Sequence, residues 1–414
     1  MVQGGTVISS RWAILGVCVL GFTQTHMHRV GFAPLIPTFI TDLGISYAAA
    51  GTIMTAYFWT YAAVQVPVGV LTDRLGARRV MLTFMSLLVL GVVAFTLSHT
   101  YAQSLFARCL IGLGTAAVWL PGLRLIHEWF PPGERGRATG LFSSGGGIGG
   151  TTALLVIPVL AEHLGWRLGY ALLLAPVLLT LVLVFLVIPS GVPTVSARGM
   201  ERVPAARTGG TVAVVRRVLG TPAMWPFNIS VLFSYGAYIS LITWLPSFLI
   251  KDAGVSRSMA GLVTALITAG TIVSWPMAGL ISDRLGRRKP IYLFSQGMSA
   301  LICLAFALLA PGGGLAAAAG IALLAGLLLG GMVTPFVMVT ELFPTELVGT
   351  ASGVVNTFCF VGSVIIPVAL GYILDLTGSF PVAFIACAAT QALALLSAAF
   401  TRETGLARRG IMVT

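Results

Sequence analysis

Gly69-Val-Leu-Thr-Asp73-Arg74-Leu-Gly76-Ala-Arg78-Arg79 returns 210 positions later as Gly279-Leu-Ile-Ser-Asp283-Arg284-Leu-Gly286-Arg287-Arg288-Lys289. Each copy lies between two apolar runs, so an acid, a glycine and a cluster of cations form a short polar loop between two hydrophobic segments. The same shift relates Asp42-Leu-Gly-Ile-Ser46 with Gly51 to Asp252-Ala-Gly-Val-Ser256 with Gly261. Further on, Glu128-Trp-Phe130-Pro131 with Gly136 and Gly140 returns as Glu341-Leu-Phe343-Pro344 with Gly349 and Gly353, 213 positions later. The chain is a parallel repeat of two halves.

The apolar runs set what each half is made of. Of 414 residues, 57% are hydrophobic and 9% charged, against about a quarter charged in a soluble domain. Twelve apolar stretches follow one another, near 11–40, 47–71, 80–98, 102–127, 136–161, 166–189, 223–250, 258–281, 290–310, 314–340, 348–374 and 380–401. Each is long enough to cross about 30 Å of hydrocarbon as a helix. The expected fold is an all-α membrane protein with twelve transmembrane helices in two six-helix bundles, residues 1–189 and 223–414, joined by a polar linker at 190–222.

A net charge of +12 raises nucleic acid as a partner, but the placement of the cations answers to topology. With the N-terminus in the cytoplasm, 18 of the 24 Lys and Arg residues fall on inner segments, three outside and three within spans. That bias puts both termini in the cytoplasm. The lipid bilayer, not nucleic acid, is the expected macroscopic partner. The N-terminal apolar stretch is too long for a cleaved signal peptide. Cys18, Cys109, Cys303, Cys359 and Cys387 are scattered without metal-ligand spacing, so no metal or cofactor is expected. Gly145-x-Gly147-x-x-Gly150 has no strand before it and is a helix-packing face, not a dinucleotide loop.

Arg29, Arg108 and Arg124 are the cations inside spans, and a mid-membrane arginine costs at least about 2.5–3.5 kcal/mol on insertion scales. Arg29 sits midway along the first span with Thr25 and His26 on the same helical face. Its planar guanidinium suits a carboxylate, which makes it a candidate anion clamp; a bond to backbone carbonyls is the alternative. Arg108, above Gly112 and Gly114, is open between solute contact and helix packing. All twelve acidic residues lie in loops or near span ends, which disfavours a cationic solute and leaves His26 and His28 as the titrating groups near neutral pH. Further cavity candidates are Tyr57, Tyr61, Gln65, Tyr235, Tyr238, Thr268, Thr334 and Asn356. At the inner face Asp73, Arg74 and Arg78, and Asp283, Arg284 and Arg288, are expected to gate. The acids cap helix ends, and the arginines reach Glu128 and Glu341. Arg124, His127 and Glu128 form a local i+3, i+4 cluster at the end of the fourth span.

The twice-repeated G-x-L-a-D-R-x-G-r-r/k loop resembles the hallmark of the major facilitator superfamily over nearly the whole chain. Alternating access about a mid-membrane site is what that resemblance implies. Arg108-x-x-x-Gly112-x-Gly114 resembles the family's R-x-x-x-G-x-G, whose arginine is linked to proton coupling or substrate contact. His28-Arg29-Val-Gly31-Phe-Ala33-Pro34 and Thr243-Trp244-Leu245-Pro246-Ser-Phe248-Leu are similar to the D-R-x-N-x-x-x-A and T-W-L-P-x-Y-L patterns of the anion:cation symporters, carriers of sugar acids and other carboxylates. Two departures stand out: His28 replaces the acid before the arginine, and Thr115 replaces the acid often found after G-x-G. The resulting expectation is a monomeric carrier of a small anionic solute in a bacterial cytoplasmic membrane, with protons as the candidate coupling ion. A drug or lipophile exporter and a non-transporting sensor are the alternatives. No nucleophile–base constellation suggests an enzyme.

Overall fold

The computed structural model describes residues 10–189, 211–308 and 314–405, all of them helical or in connecting turns. In chain order the helices are α1 (Arg11–Val30), α2 (Ile36–Leu43), α3 (Tyr47–Ala63), α4 (Gln65–Leu75), α5 (Ala77–Thr96), α6 (Tyr101–Thr115), α7 (Trp119–Trp129), α8 (Pro132–Leu164), α9 (Trp166–Ala171) and α10 (Leu174–Val187). Beyond the linker come α11 (Thr211–Leu219), α12 (Trp225–Lys251), α13 (Arg257–Leu285), α14 (Lys289–Leu308), α15 (Leu315–Leu328), α16 (Thr334–Leu342), α17 (Thr345–Thr377) and α18 (Phe380–Ala399).

Among the described residues ten helical stretches are long and apolar enough to cross a membrane, and the first two apolar segments are helical in pieces. The reason is local. Proline has no N–H and its ring crowds the carbonyl four residues back. Pro34 acts on Val30, where α1 stops, and Pro67 acts on Ala63, where α3 stops. Pro121 likewise acts on Ala117, in the turn between α6 and α7. Pro158, Pro246, Pro276 and Pro367 instead remain inside the continuous helices α8, α12, α13 and α17. Starts are set by hydroxyl caps: Ser10 accepts from Ala13 N, Thr100 from Gln103 N and Ser256 from Met259 N.

The chain forms two compact units. The first comprises residues up to Thr38 together with Ala56–Arg202, and the second comprises Phe39–Thr55 with Val203 onward. In the first unit α1 contributes to a core shared with α5, α7, α8 and α10. Ile14, Leu15 and Cys18 pack with Met81 and Met85 of α5, Phe142 of α8 and Val184 of α10. Apolar burial drives little between helices already in lipid, so close backbone approach matters. A methyl on Gly149 of α8 would overlap the Thr23 carbonyl of α1, and one on Gly145 would sit 2.7 Å from Val19 O. The glycine-rich run is thus a packing face, with Gly145 and Gly149 making the closest approach.

In the second unit Phe227 and Val231 of α12 pack with Tyr292 of α14, Met338 of α16, Val355 of α17 and Ala398 of α18. Most of the expected linker, residues 190–210, lies outside the described residues. Its remainder is α11, whose fully buried Val218 belongs to this same core. Polar bonds across helices add to the packing: Tyr292 and Ser230 hydroxyls meet at 2.5 Å, and Ser230 donates to Ala394 O at 2.8 Å.

Candidate functional site

The break after α1 builds the site. Where the helix ends, carbonyls in its last turn lose their i+4 donors. Arg108 of α6 replaces them: Nη1 donates to His28 O at 2.6 Å and Nη2 to Arg29 O at 3.4 Å. Its side chain is fully buried, with its guanidinium carbon 5.5 Å from the Tyr57 ring centre and 5.7 Å from that of Phe32. Arg108 therefore braces the backbone from which Arg29 projects. Of the two readings open from the sequence, its observed bonds are with the protein itself.

His28 points into this braced interior. It is fully buried, with Nδ1 3.2 Å from the Tyr170 hydroxyl, and that hydroxyl also bonds Arg108. Its Nε2 has no hydrogen-bond partner among the described residues.

Arg29 points the other way, into an aromatic box. Its guanidinium carbon lies 5.1, 5.7 and 5.8 Å from the ring centres of Tyr61, Tyr57 and Phe58. Nη1 lies 3.1 Å from His26 Nε2. Arginine can only donate, so that imidazole nitrogen accepts, and the neutral ring carries its proton on Nδ1, 3.3 Å from Phe22 O. His26 is partly exposed while Arg29 is buried. Gly146 of α8 makes room for the imidazole: a Cβ there would be 3.1 Å from both Cε1 and Nε2.

Tyr57 is the wall shared by both arginines. Its hydroxyl accepts from Thr115 at 2.8 Å and donates to Thr25 O at 3.1 Å. Tyr61 stacks beside it at 5.7 Å. The Thr25 hydroxyl is turned to the backbone, at 3.2 Å from Gly21 O and 3.4 Å from Thr115 O. Gln65 begins α4, and its buried Nε2 has no hydrogen-bond partner among the described residues. The structure thus brings Arg29, His26, Tyr57, Tyr61, Thr25 and Arg108 together in the first unit. In the second unit, Tyr235 and Tyr238 of α12 have ring centres 5.8 Å apart. Asn356 is partly exposed on α17, and Thr268 and Thr334 are buried on α13 and at the start of α16.

The two charged loops, alike in sequence, are wired differently. In the second, Arg288 meets Glu341 at 3.0 Å, Ser282 Oγ at 2.6 Å and Asp283. Burial opposes the charge on Arg288, but Glu341 and Asp283 outweigh it and hold its pKa above the ordinary arginine value. In the first, the matching Arg78 donates to Phe185 O at 2.6 Å. Glu128 is held instead by Arg124, at 2.7 Å, and Arg124 also donates to Thr72 O. Arg74 and Arg284 are exposed, and the Asp73 side chain lies outside what the structure describes.

Three partners had no place in the sequence reading. Tyr170 bridges Arg108 and His28, the latter 142 residues away. Glu403, just past α18, accepts from the N–H groups of Arg288 at 2.8 Å, Lys289 at 3.2 Å, Thr404 at 3.0 Å and Gly405 at 3.1 Å. Burial raises the Glu403 pKa, but these backbone donors outweigh it and hold the carboxyl below its ordinary range. Asp375 caps the start of α3. Only the acid–glycine spacing of helix caps could have pointed to the last two.

A sequence profile of the Major Facilitator Superfamily matches residues 14–260 and 228–410. The protein described as probable sulfoacetate transporter SauU of Cupriavidus necator is 26% identical, over 95% of this chain and 94% of its own. The probable galactarate/D-glucarate transporter GudP of Bacillus subtilis is 25% identical, over 95% and 92%, and the hexuronate transporter of the same organism 24%, over 87% of each. Among solved structures, a bacterial homologue of the human lysosomal transporter Spinster, inward-facing and unoccupied, matches with a TM-score of 0.78. The match covers 96% of this chain and 97% of that one at 17% identity, a likeness of fold.

Two outcomes follow from this geometry. Arg108→Leu leaves the His28 and Arg29 carbonyls without their donor, at about 1–3 kcal/mol for each buried group left unsatisfied. The melting temperature of the variant in detergent should fall markedly, whereas Arg74→Leu, at an exposed position, should leave it nearly unchanged. Glu403 has its folded pKa depressed, so its contribution is present above the unfolded carboxyl pKa and lost as pH falls through the folded one. The gap in melting temperature between the native protein and Glu403→Gln should therefore hold near neutral pH. It should close as pH is lowered through and below the ordinary glutamate range.

Proposed function

The chain belongs to the Major Facilitator Superfamily, and from that premise we propose that it carries a small organic anion, a carboxylate or sugar acid, by alternating access with Arg29 as the anion clamp. The observation that carries this reading is the placement of Arg29: a guanidinium at the broken end of α1, boxed by aromatic rings, with one Nη on a partly exposed histidine. A carboxylate displacing His26 from that Nη would gain a charge-assisted bond in a low-dielectric setting. The relatives named for sulfoacetate, galactarate/D-glucarate and hexuronate support the choice of anion, since each of those solutes bears a carboxylate.

Coupling to protons goes through His26 in this reading. While Arg29 donates to Nε2, that nitrogen cannot take a proton; an anion that claims the Arg29 donor frees it. Anion and proton then favour each other's binding, the reciprocity expected of a coupled carrier. His28, enclosed with Tyr170 and Arg108, is the second candidate. Both termini and the Asp283 loop face the cytoplasm of a bacterial cell in this account, on the strength of the cation bias, and the working unit is a monomer.

The test is ligand-induced thermal stabilisation of the purified protein against monocarboxylates, sugar acids, dicarboxylates, organophosphates and lipophilic cations. One class of carboxylate should raise the melting temperature. Arg29→Ala should weaken that binding by about 10- to 100-fold, the equivalent of the roughly 1.5–3 kcal/mol of a hydrogen bond to a charged group. Arg29→Lys, which keeps charge but loses the planar fork, should fall between. Stabilisation by lipophilic cations, or an anion response that survives in Arg29→Ala, would instead favour an exporter.

A further inference from the structure

Beside the Arg29–His26 contact, the first unit carries a partly exposed aromatic surface that the anion clamp does not use. One turn before His26 comes Phe22, whose ring centre lies 4.4 Å from that of the imidazole, edge-on. Trp119, the first residue of α7, lies 4.8 Å from Phe22 and stacks on Phe142 of α8 at 4.9 Å, with ring planes 14° apart. Phe142 in turn is 5.1 Å from Phe22. These near-equal distances make a triangle, so Phe22 does not lie across the indole from Phe142. One face of Trp119 rests on Phe142, and the other is covered by neither phenyl ring. Phe142 is fully buried, while Phe22, His26 and Trp119 are each partly exposed.

Glycines let these rings sit where they do. A Cβ on Gly146 would stand 3.2 Å from Cε1 of Phe22 as well as against His26, and one on Gly122 2.5 Å from Cζ of Phe142. The result is a ring surface continuous with the cation: Arg29 meets His26, His26 meets Phe22, and Phe22 meets Trp119. The hydroxyl protons nearby are spent within the protein. Thr23 donates to Val19 O at 2.9 Å, Thr25 to Gly21 O at 3.2 Å, Thr115 to the Tyr57 hydroxyl and Tyr57 to Thr25 O. A solute held by Arg29 therefore has rings beside it, and none of these four hydroxyls is free to donate.

An open-chain polyol presents hydroxyls on every side, and each one taken out of water without a partner costs free energy. A six-membered ring keeps its hydroxyls at the rim and offers a face of C–H bonds, which packs on an aromatic plane by dispersion. It is also rigid, so fewer rotors are immobilised on binding. We propose that Phe22 and Trp119 seat the body of the carried anion, and that the solute is a carboxylate borne on a six-membered ring with one face free of hydroxyls. This rests on the reading of Arg29 as the clamp: the guanidinium fixes the carboxylate end, and the aromatic surface selects what is attached to it.

Isothermal titration of the full chain in detergent compares glucuronate with gluconate, two six-carbon monocarboxylates that differ as ring against open chain. Glucuronate is expected to bind about three- to tenfold more tightly, the worth of one aromatic stacking contact. Cyclohexanecarboxylate, which has the ring and no hydroxyls, should also bind more tightly than gluconate. The preference for glucuronate should vanish in Trp119→Leu and in Phe22→Leu and return in part in Trp119→Phe, with the affinity for gluconate unchanged throughout. Binding of gluconate as tight as that of either ring acid, or a preference that survives both leucine variants, would overturn the ring seat. The clamp fails separately, and the proposal with it, if Arg29→Ala binds both six-carbon acids as tightly as the native protein does.

Discussion

The grip of Arg108 on the broken end of α1 is the constraint around which the first unit is arranged. In hydrocarbon a backbone carbonyl without a donor is costly, so a helix can stop mid-membrane only where something else supplies one. Arg108 does this for the carbonyls of His28 and Arg29, and Gly112 beside it keeps α6 close to α3 by leaving no methyl against Tyr57 O. With the backbone braced from behind, Arg29 can hold its guanidinium forward among Tyr57, Phe58 and Tyr61. One arginine braces the backbone, and in the proposed reading the next one meets the solute.

The repeat made the architecture readable, because the Asp-Arg loops and the Glu-x-Phe-Pro ends recur in register. It also made the two loops look more alike than they are. Glu341 finds the loop residue Arg288, as expected, whereas Glu128 is taken by Arg124 of its own helix, an i,i+4 pair visible in the sequence. The position that matches Arg124 in the second half is Val337, so Glu341 has no such neighbour on its own helix and turns to the loop. A single substitution between repeats redirects a charge network. Prolines were similarly half-legible: Pro34 and Pro67 end helices four residues upstream, while Pro246 and Pro367 do not. Whether a proline breaks a helix depends on which neighbours can rescue the freed carbonyl, and those neighbours are distant in sequence.

The roles of single side chains were least legible for the same reason. Thr25 and His26 share the Arg29 face, yet one hydroxyl turns to the backbone and the other residue becomes the partner of the guanidinium. Arg108 was open between solute and packing because its partners are carbonyls, which carry no residue-type signal. Tyr170 meets His28 across 142 positions, Asp375 meets Tyr47 across 328 and Glu403 meets Arg288 across 115. What composition did convey was sign: with every carboxylate near a membrane face and cations left inside, a mid-membrane site built from this chain favours an anion.

The account turns on that anion crossing the membrane. The most direct measurement is counterflow in proteoliposomes: protein reconstituted with a high internal concentration of an unlabelled sugar acid or sulfonated carboxylate, and uptake of the labelled solute followed against its gradient. The account expects a transient overshoot of labelled solute that is absent in empty liposomes and abolished in Arg29→Ala. Saturable binding of the same anion with no counterflow in any of these preparations would contradict it, and would leave a sensor built on a transporter's fold.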